Sequence, residues 1–301
     1  MKPDQFTLKE TMLPVGNGHR LYVQLWGDPN AEQTLIWLHG GPGSGSRDEQ
    51  KDLFDPKRHR VIFYDQRGCG RSRPYGSLRA NKTDDQVADL SKILDAFSVD
   101  SCTLVGGSWG SLLALVYAIR NPKRVKRMVL RGIFTGRQSE VDFVDGGGCR
   151  EFFPEVWEQF VTSVPSAHRM DPAGYLLPRL FGKYAEQAKR AAFAFNMLEG
   201  SLTKLDYQPL DVDFDTFDLV NTIIEQWYVS QGCFLPDSYI LDNAALLTMP
   251  IDIVQGRYDM VCPPITAYEL HQRLPNSRLT WTLAGHSWAD RANLDAVKNL
   301  L

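Results

Sequence analysis

Three side chains far apart in the sequence could together cleave an ester or amide bond: Ser108, Asp259 and His286. A serine hydroxyl is a weak nucleophile at neutral pH. It needs an imidazole to take its proton, and the imidazole needs a carboxylate to fix its tautomer and to stabilise the imidazolium that forms. Ser108 is the centre of Gly106-Gly107-Ser108-Trp109-Gly110, a G-x-S-x-G pattern. The pattern alone is weak evidence, because three small residues in five arise easily by chance. Its flanks give it meaning. The apolar run Cys102–Val105 precedes it, and Leu112, Leu113, Leu115, Val116 and Ile119 follow it in a helical pattern that ends at Pro122. A strand turning sharply into a helix exposes the serine at the turn, and glycines are needed where the chain packs too closely for a Cβ. The helix N-terminus directs N–H groups and partial positive charge at the reacting centre. The competing reading is a glycine-rich turn with an idle serine.

Acyl transfer develops negative charge on the former carbonyl oxygen, so two N–H donors should face it. One belongs to the residue after the nucleophile, Trp109. The other should come from an earlier glycine loop, and His39-Gly40-Gly41-Pro42-Gly43 follows the apolar run Thr34–Leu38. Gly41 is the expected donor, since Pro42 has no N–H and stiffens the loop. A phosphate cradle is the other use of such a loop, but no Gly-Lys-Ser/Thr follows.

The base should come last in the chain, with the acid between it and the serine. Of the six histidines, His286 sits in Leu283-Ala284-Gly285-His286-Ser287, just after the last strand-like run. His271 falls in a helical pattern and is expected to pack or to face solvent. Asp259 follows the run Ile251–Gln255 through Gly256-Arg257-Tyr258, whereas Asp252 lies inside that run and should point elsewhere.

The elements that must position these residues are short apolar runs alternating with helical patterns. Candidate strands are Leu21–Trp26, Thr34–Leu38, Arg60–Tyr64, Cys102–Val105, Arg127–Leu130, Ile251–Gln255 and Leu279–Leu283. Several are continuous in Val, Ile and Leu, as expected of strands covered on both faces. In Asp84–Phe97, Val87, Leu90, Ile93, Leu94 and Phe97 share one helical face, with Thr83 or Asp84 as the candidate cap. The expected fold is therefore α/β: a mostly parallel sheet flanked by helices, the α/β-hydrolase arrangement. The rhythm breaks between Thr135 and Ala245, where helical patterns and aromatics dominate. Residues 1–134 and 246–301 are expected to form the catalytic core, and 135–245 a helical cap that selects substrate.

Composition narrows the class. With 43% hydrophobic and 23% charged residues the chain can bury a core, and a net charge of −3 without a basic stripe argues against nucleic acid. The five cysteines, at 69, 102, 149, 233 and 262, lack metal-ligand spacing and read as reduced thiols of a cytoplasmic protein. No metal or cofactor is expected. No signal peptide and no run of membrane-spanning length is visible.

The chain resembles the proline iminopeptidases (prolyl aminopeptidases), serine peptidases within the α/β hydrolases. The resemblance rests on HGGPG at 39–43, YDQRGCGRS at 64–72, NKTDDQVADL at 81–90, GGSWGSLLALVYA at 106–118, LRGIF at 130–134, GRYDMVCP at 256–263 and AGHS at 284–287. It implies removal of an N-terminal residue, preferentially proline, from short peptides without a cofactor. It also implies that YDQRGCGRS braces the sheet edge beside the site. From residue types alone, Glu199 and Glu225 are ordinary solvated helix residues. The resemblance gives them the substrate's free ammonium, and gives Phe134 and Cys262 the first-residue pocket.

The chain departs from that pattern at the aromatic slot. Two tryptophans of the family become Phe195 and Leu198, the aromatic ending the second glutamate segment becomes Val229, and a Phe-Tyr-Gln segment becomes Phe143-Val144-Asp145. A slot that loses aromatics should grip a proline ring less firmly. Two other functions stand beside the aminopeptidase: a cofactor-free carboxylesterase, lactonase or amidase on the same triad with a repurposed cap, and a silent binding protein on a hydrolase scaffold.

Overall fold

The computed structural model describes residues 4–206 and 210–301. Eight strands form one sheet: β1 (Thr7–Gly16), β2 (His19–Gly27), β3 (Thr34–Leu38), β4 (Arg60–Tyr64), β5 (Cys102–Ser108), β6 (Val125–Ile133), β7 (Ile251–Gly256) and β8 (Ser277–Thr282). Their order is β1-β2-β4-β3-β5-β6-β7-β8. β2 pairs antiparallel with β1 and β4, and every pairing from β4 to β8 is parallel. Side chains alternate across the sheet, so both faces need cover. Ile36, Leu38, Leu104 and Leu130 pack into one buried cluster, and Leu35, Trp37, Val105 and Val129 into another on the opposite face.

The first of those faces is covered by α1 (Thr83–Ala96) and α2 (Trp109–Arg120), the helices expected from the sequence. α1 is capped differently from the expectation. Lys82 is the N-cap residue, and its N–H donates to the Asp85 carboxylate at 3.0 Å. The Thr83 hydroxyl is spent elsewhere, donating to the Cys233 carbonyl.

Between β6 and β7 the described chain is helical: α3 (Gln138–Val144), α4 (Pro154–Thr162), α5 (Pro172–Leu180), α6 (Ala185–Ser201), α7 (Val220–Val229) and α8 (Tyr239–Asp242). This stretch has its own apolar cluster, built on Val156, Phe160, Leu176, Leu180, Phe195 and Leu198. Phe195 packs against Phe160 with tilted rings, their centroids 5.5 Å apart. After β7 come α9 (Pro264–Arg273) and, after β8, α10 (Arg291–Lys298), whose Val297 joins the opposite-face cluster.

β1 was not among the expected strands. Its pattern of burial shows why: only Val15 is buried, and Lys9, Glu10 and Pro14 interrupt any alternation. As the outermost strand it faces water along most of its length, a position that tolerates charge and proline.

Candidate active site

Ser108 stands where β5 turns into α2, with φ +58° and ψ −131°. A non-glycine residue in this region is strained and is held there by its surroundings. The glycines around it explain how the turn fits. A Cβ on Gly110 would sit 2.1 Å from the Leu38 carbonyl oxygen, and one on Gly106 would sit 2.8 Å from the Gly110 oxygen. The Ser108 carbonyl accepts from the Ser111 hydroxyl at 2.7 Å, and that hydroxyl accepts from Phe134 N–H at 3.1 Å.

His286 and Asp259 meet at the same sheet edge. His286 Nδ1 lies 2.8 Å from Asp259 Oδ2 and 3.0 Å from Oδ1. A carboxylate can only accept, so Nδ1 carries the hydrogen of this bond. Asp259 is buried and held by three further donors: Val261 N–H at 3.0 Å, Cys262 N–H at 2.8 Å and the Gln255 amide at 3.2 Å. The imidazole packs over the end of β6. A Cβ on Gly132 would sit 3.1 Å from His286 Cε1, and the next residue, Ile133, pairs with Ser108 in the sheet. Ser108 Oγ makes no hydrogen bond among the described residues. Such links are often long before substrate arrives.

The histidine loop is pinned from both sides. Gly285 N–H donates to Asp290 at 2.6 Å, and Asn293 donates to the carbonyls of Gly285 and Ser287 at 3.0 and 3.1 Å. Ser287 N–H donates to the Thr203 carbonyl, just past the end of α6, at 2.7 Å. Arg131, in the LRGIF segment, was not singled out by sequence. It is buried, donates to the His286 carbonyl and stacks on Trp288 at 4.4 Å.

The start of the glycine loop, at His39, and Trp109 are tied together through Gln66. The Gln66 amide nitrogen donates to the His39 carbonyl at 3.0 Å, and its oxygen accepts from the Trp109 indole at 2.8 Å. His39 in turn accepts Gln66 N–H on Nε2 at 3.0 Å, so its Nδ1–H donates to the Gly40 carbonyl at 2.9 Å. Burial holds this ring's pKa below the ordinary value, in keeping with a neutral imidazole. The rest of YDQRGCGRS braces the neighbouring loops. Asp65 accepts from Ser46 and Arg71, and Arg67 grips Asp89 at 2.6 and 2.7 Å.

A pocket opens over Ser108. Gly41, Ser108, Phe134, Glu199, Glu225 and Cys262 all line it. α6 carries Glu199 and α7 carries Glu225. α7 is fastened to the core by Tyr228, whose ring lies 4.5 Å from that of Trp109 and whose hydroxyl donates to Asn81 at 2.7 Å. Removal from water, and then the Glu199 carboxylate hydrogen-bonded to it, push Glu225 well above the usual carboxylate range. Burial likewise pushes the Cys262 thiol far up, which makes it a wall rather than a nucleophile.

Two of the altered aromatic positions do not reach this pocket. Phe195 and Leu198 are buried in the apolar cluster of the helical stretch between β6 and β7, whereas Val144 and Val229 are in the pocket wall. The expected loosening of the slot therefore rests on two valines. Asp145 and Gln226 also line the pocket, and neither was picked out as a site residue from sequence. The elements expected to aim Asp252 and His271 away do so: Asp252 pairs with Arg127 and Arg278, and His271 bonds Ser277 at 2.7 Å.

The α/β hydrolase fold family matches residues 33–287, and the chain is an α/β hydrolase. A solved α/β hydrolase from a deep-sea metagenome library, MGS-M2, superposes with a TM-score of 0.63 at 19% identity, covering 97% of this chain and 96% of that one. A protein of Leptolyngbya boryana named "probable proline iminopeptidase" is 38% identical over 95% of this chain and 91% of its own length. The proline iminopeptidase of Xylella fastidiosa is 36% identical over 98% of this chain and 96% of its own length. The chain belongs to the proline iminopeptidase family and is a hydrolase.

Proposed function

We propose that this protein is a serine aminopeptidase that releases the first residue of short peptides, proline among them, through a covalent acyl-enzyme. The observation that carries the reading is one shared pocket: Ser108 and Gly41 line it together with Glu199 and Glu225. A substrate ammonium between the two glutamates relieves their repulsion and supplies the charge that a desolvated carboxylate needs. With the amine anchored there, the carbonyl one residue along faces the serine.

In the first step Ser108 Oγ bonds to that carbonyl carbon while its proton passes to His286 Nε2. The oxyanion rests on the N–H groups of Gly41 and Trp109. The carbon–nitrogen bond then breaks as His286 gives the proton to the leaving amine. Water next attacks the ester, loses a proton to His286, and frees the amino acid while Ser108 recovers its hydrogen. Asp259 keeps the imidazole in the working tautomer, and Phe134 and Cys262 shape the first-residue pocket.

Residues 135–245 act as the cap that selects substrate, and 1–134 with 246–301 as the catalytic core. Five free, buried cysteines suit a reducing compartment, and we assign the protein to the cytoplasm.

The test is a panel of prolyl and alanyl anilides, their N-acetylated forms and a p-nitrophenyl ester. Cleavage of the free-amine anilides, lost on acetylation, is the expected result. Turnover of the ester with none of any anilide would contradict it and favour an esterase.

A further inference from the structure

The pocket holds a third carboxylate that the amine anchor does not use. Asp145, just past the end of α3, lines the wall with Glu199 and Glu225. None of the three is in an ion pair among the described residues. The charged groups that act on Asp145 and Glu225 are themselves acidic: Glu199 and Asp142 on Asp145, and Glu199 and Asp145 on Glu225. Glu140, also in the wall, is different. It is buried but satisfied by Thr135 N–H, the Thr135 hydroxyl and Arg137 N–H, and its role is to close the start of α3. Asp145 receives one donor, the Gln226 amide nitrogen, at 3.3 Å.

That hydrogen bond fixes the orientation of Gln226 and exposes a second deficit. Gln226 is 4% exposed, lines the pocket, and its Oε1 has no partner. A buried acceptor left unmade is costly, and so is a desolvated carboxylate. Both deficits are of one kind: the wall lacks donors and positive charge. One substrate ammonium between Glu199 and Glu225 leaves Asp145 and Gln226 Oε1 unsatisfied. A second ammonium, with three N–H donors and no acceptor, answers both.

We infer that the first-residue pocket is built for a diamino acid, whose α-ammonium sits on Glu199 and Glu225 and whose side-chain ammonium sits between Asp145 and Gln226 Oε1. This rests on the aminopeptidase reading above and names its substrate class. The side chain is the part of the substrate next to the amine anchor, so the second cation belongs to the first residue. Val144 and Val229 give that wall apolar surface for an aliphatic stem to lie against.

The experiment compares isosteric pairs of aminoacyl 4-methylcoumarin amides: ornithyl with norvalyl, and lysyl with norleucyl, with p-nitrophenyl acetate as a control for an intact serine site. The expected result is a kcat/KM about ten- to a hundred-fold higher for the cationic member of at least one pair, as for a charge-assisted hydrogen bond. Asp145→Asn should shrink that ratio at least several-fold, and Asp145→Glu should restore part of it. Aminoacyl amides cleaved without preference for the cationic member would overturn the inference and leave the aminopeptidase standing, as would a preference unmoved in Asp145→Asn. Ester turnover with no cleavage of any amide would overturn both. The wild-type comparison stands by itself if the variant does not fold.

Discussion

Asp259 Oδ2 lies 2.8 Å from His286 Nδ1, and the carboxylate accepts three other hydrogen bonds besides. Those donors leave little freedom, so the aspartate fixes both the position and the tautomer of the imidazole. In Asp259→Asn the side-chain amide can offer an N–H to Nδ1, and the proton moves to Nε2. The fold should survive, while kcat for a prolyl anilide should fall by about 10⁴, the loss a wrong tautomer causes in a serine triad. A loss under ten-fold would remove Asp259 from the mechanism.

The oxyanion contribution proposed for Gly41 can be read by substitution. Its φ is +103°, and a Cβ there would sit 2.7 Å from the Gly43 nitrogen. Gly41→Ala must therefore turn its N–H from the present direction. Loss of one such donor typically reduces turnover a hundred- to a thousand-fold. We expect that fall in kcat for ester and amide alike, measured by steady-state kinetics. An unchanged kcat would assign the donor to another residue.

Glu225→Gln separates the proposed amine anchor from the chemistry. Free-amine anilides should lose at least ten-fold in kcat/KM, since a charge-assisted bond becomes a neutral one. The p-nitrophenyl ester has no ammonium and should lose little. Equal losses on both substrates would argue that Glu225 holds the pocket together rather than the substrate.

The protein should be less stable at high pH because of its pocket carboxylates. Burial, and then the Glu199 charge, push Asp145 up to about 7 from the ordinary carboxylate range. The folded chain thus binds this proton more tightly than the unfolded one. Stability from this group is greatest below the ordinary carboxylate pKa and falls as pH rises through 7. Asp145→Asn removes the penalty. After allowance for partial exposure to solvent, the variant should gain roughly 2 kcal/mol at pH 8 and nearly nothing at pH 4, by urea unfolding at each pH. A gain that does not depend on pH would place its cause elsewhere.

Much of the candidate site's arrangement was legible because chemistry and backbone geometry constrain the same residues. Ser108 needs glycines at 106 and 110, and those glycines meet the Leu38 and Gly110 backbones closely. The central strands could be read because both faces are buried, as Ile36 and Trp37 show. β1 was not legible, since an edge strand facing water need not alternate. Phe195 and Leu198 could not be separated from the pocket wall by sequence, because an inward face of a helix looks the same whether it meets substrate or Phe160. Asp145 and Gln226 carry a signal, a charge and an amide between apolar neighbours, but only the fold brings α3 and α7 to one wall.

The measurement that bears most directly on the account is covalent labelling with a fluorophosphonate, followed by peptide mass spectrometry. The probe should attach to Ser108 with one label per chain, and Ser108→Ala should lose both labelling and all turnover of anilides and ester. Labelling of another residue, or turnover surviving in Ser108→Ala, would contradict it.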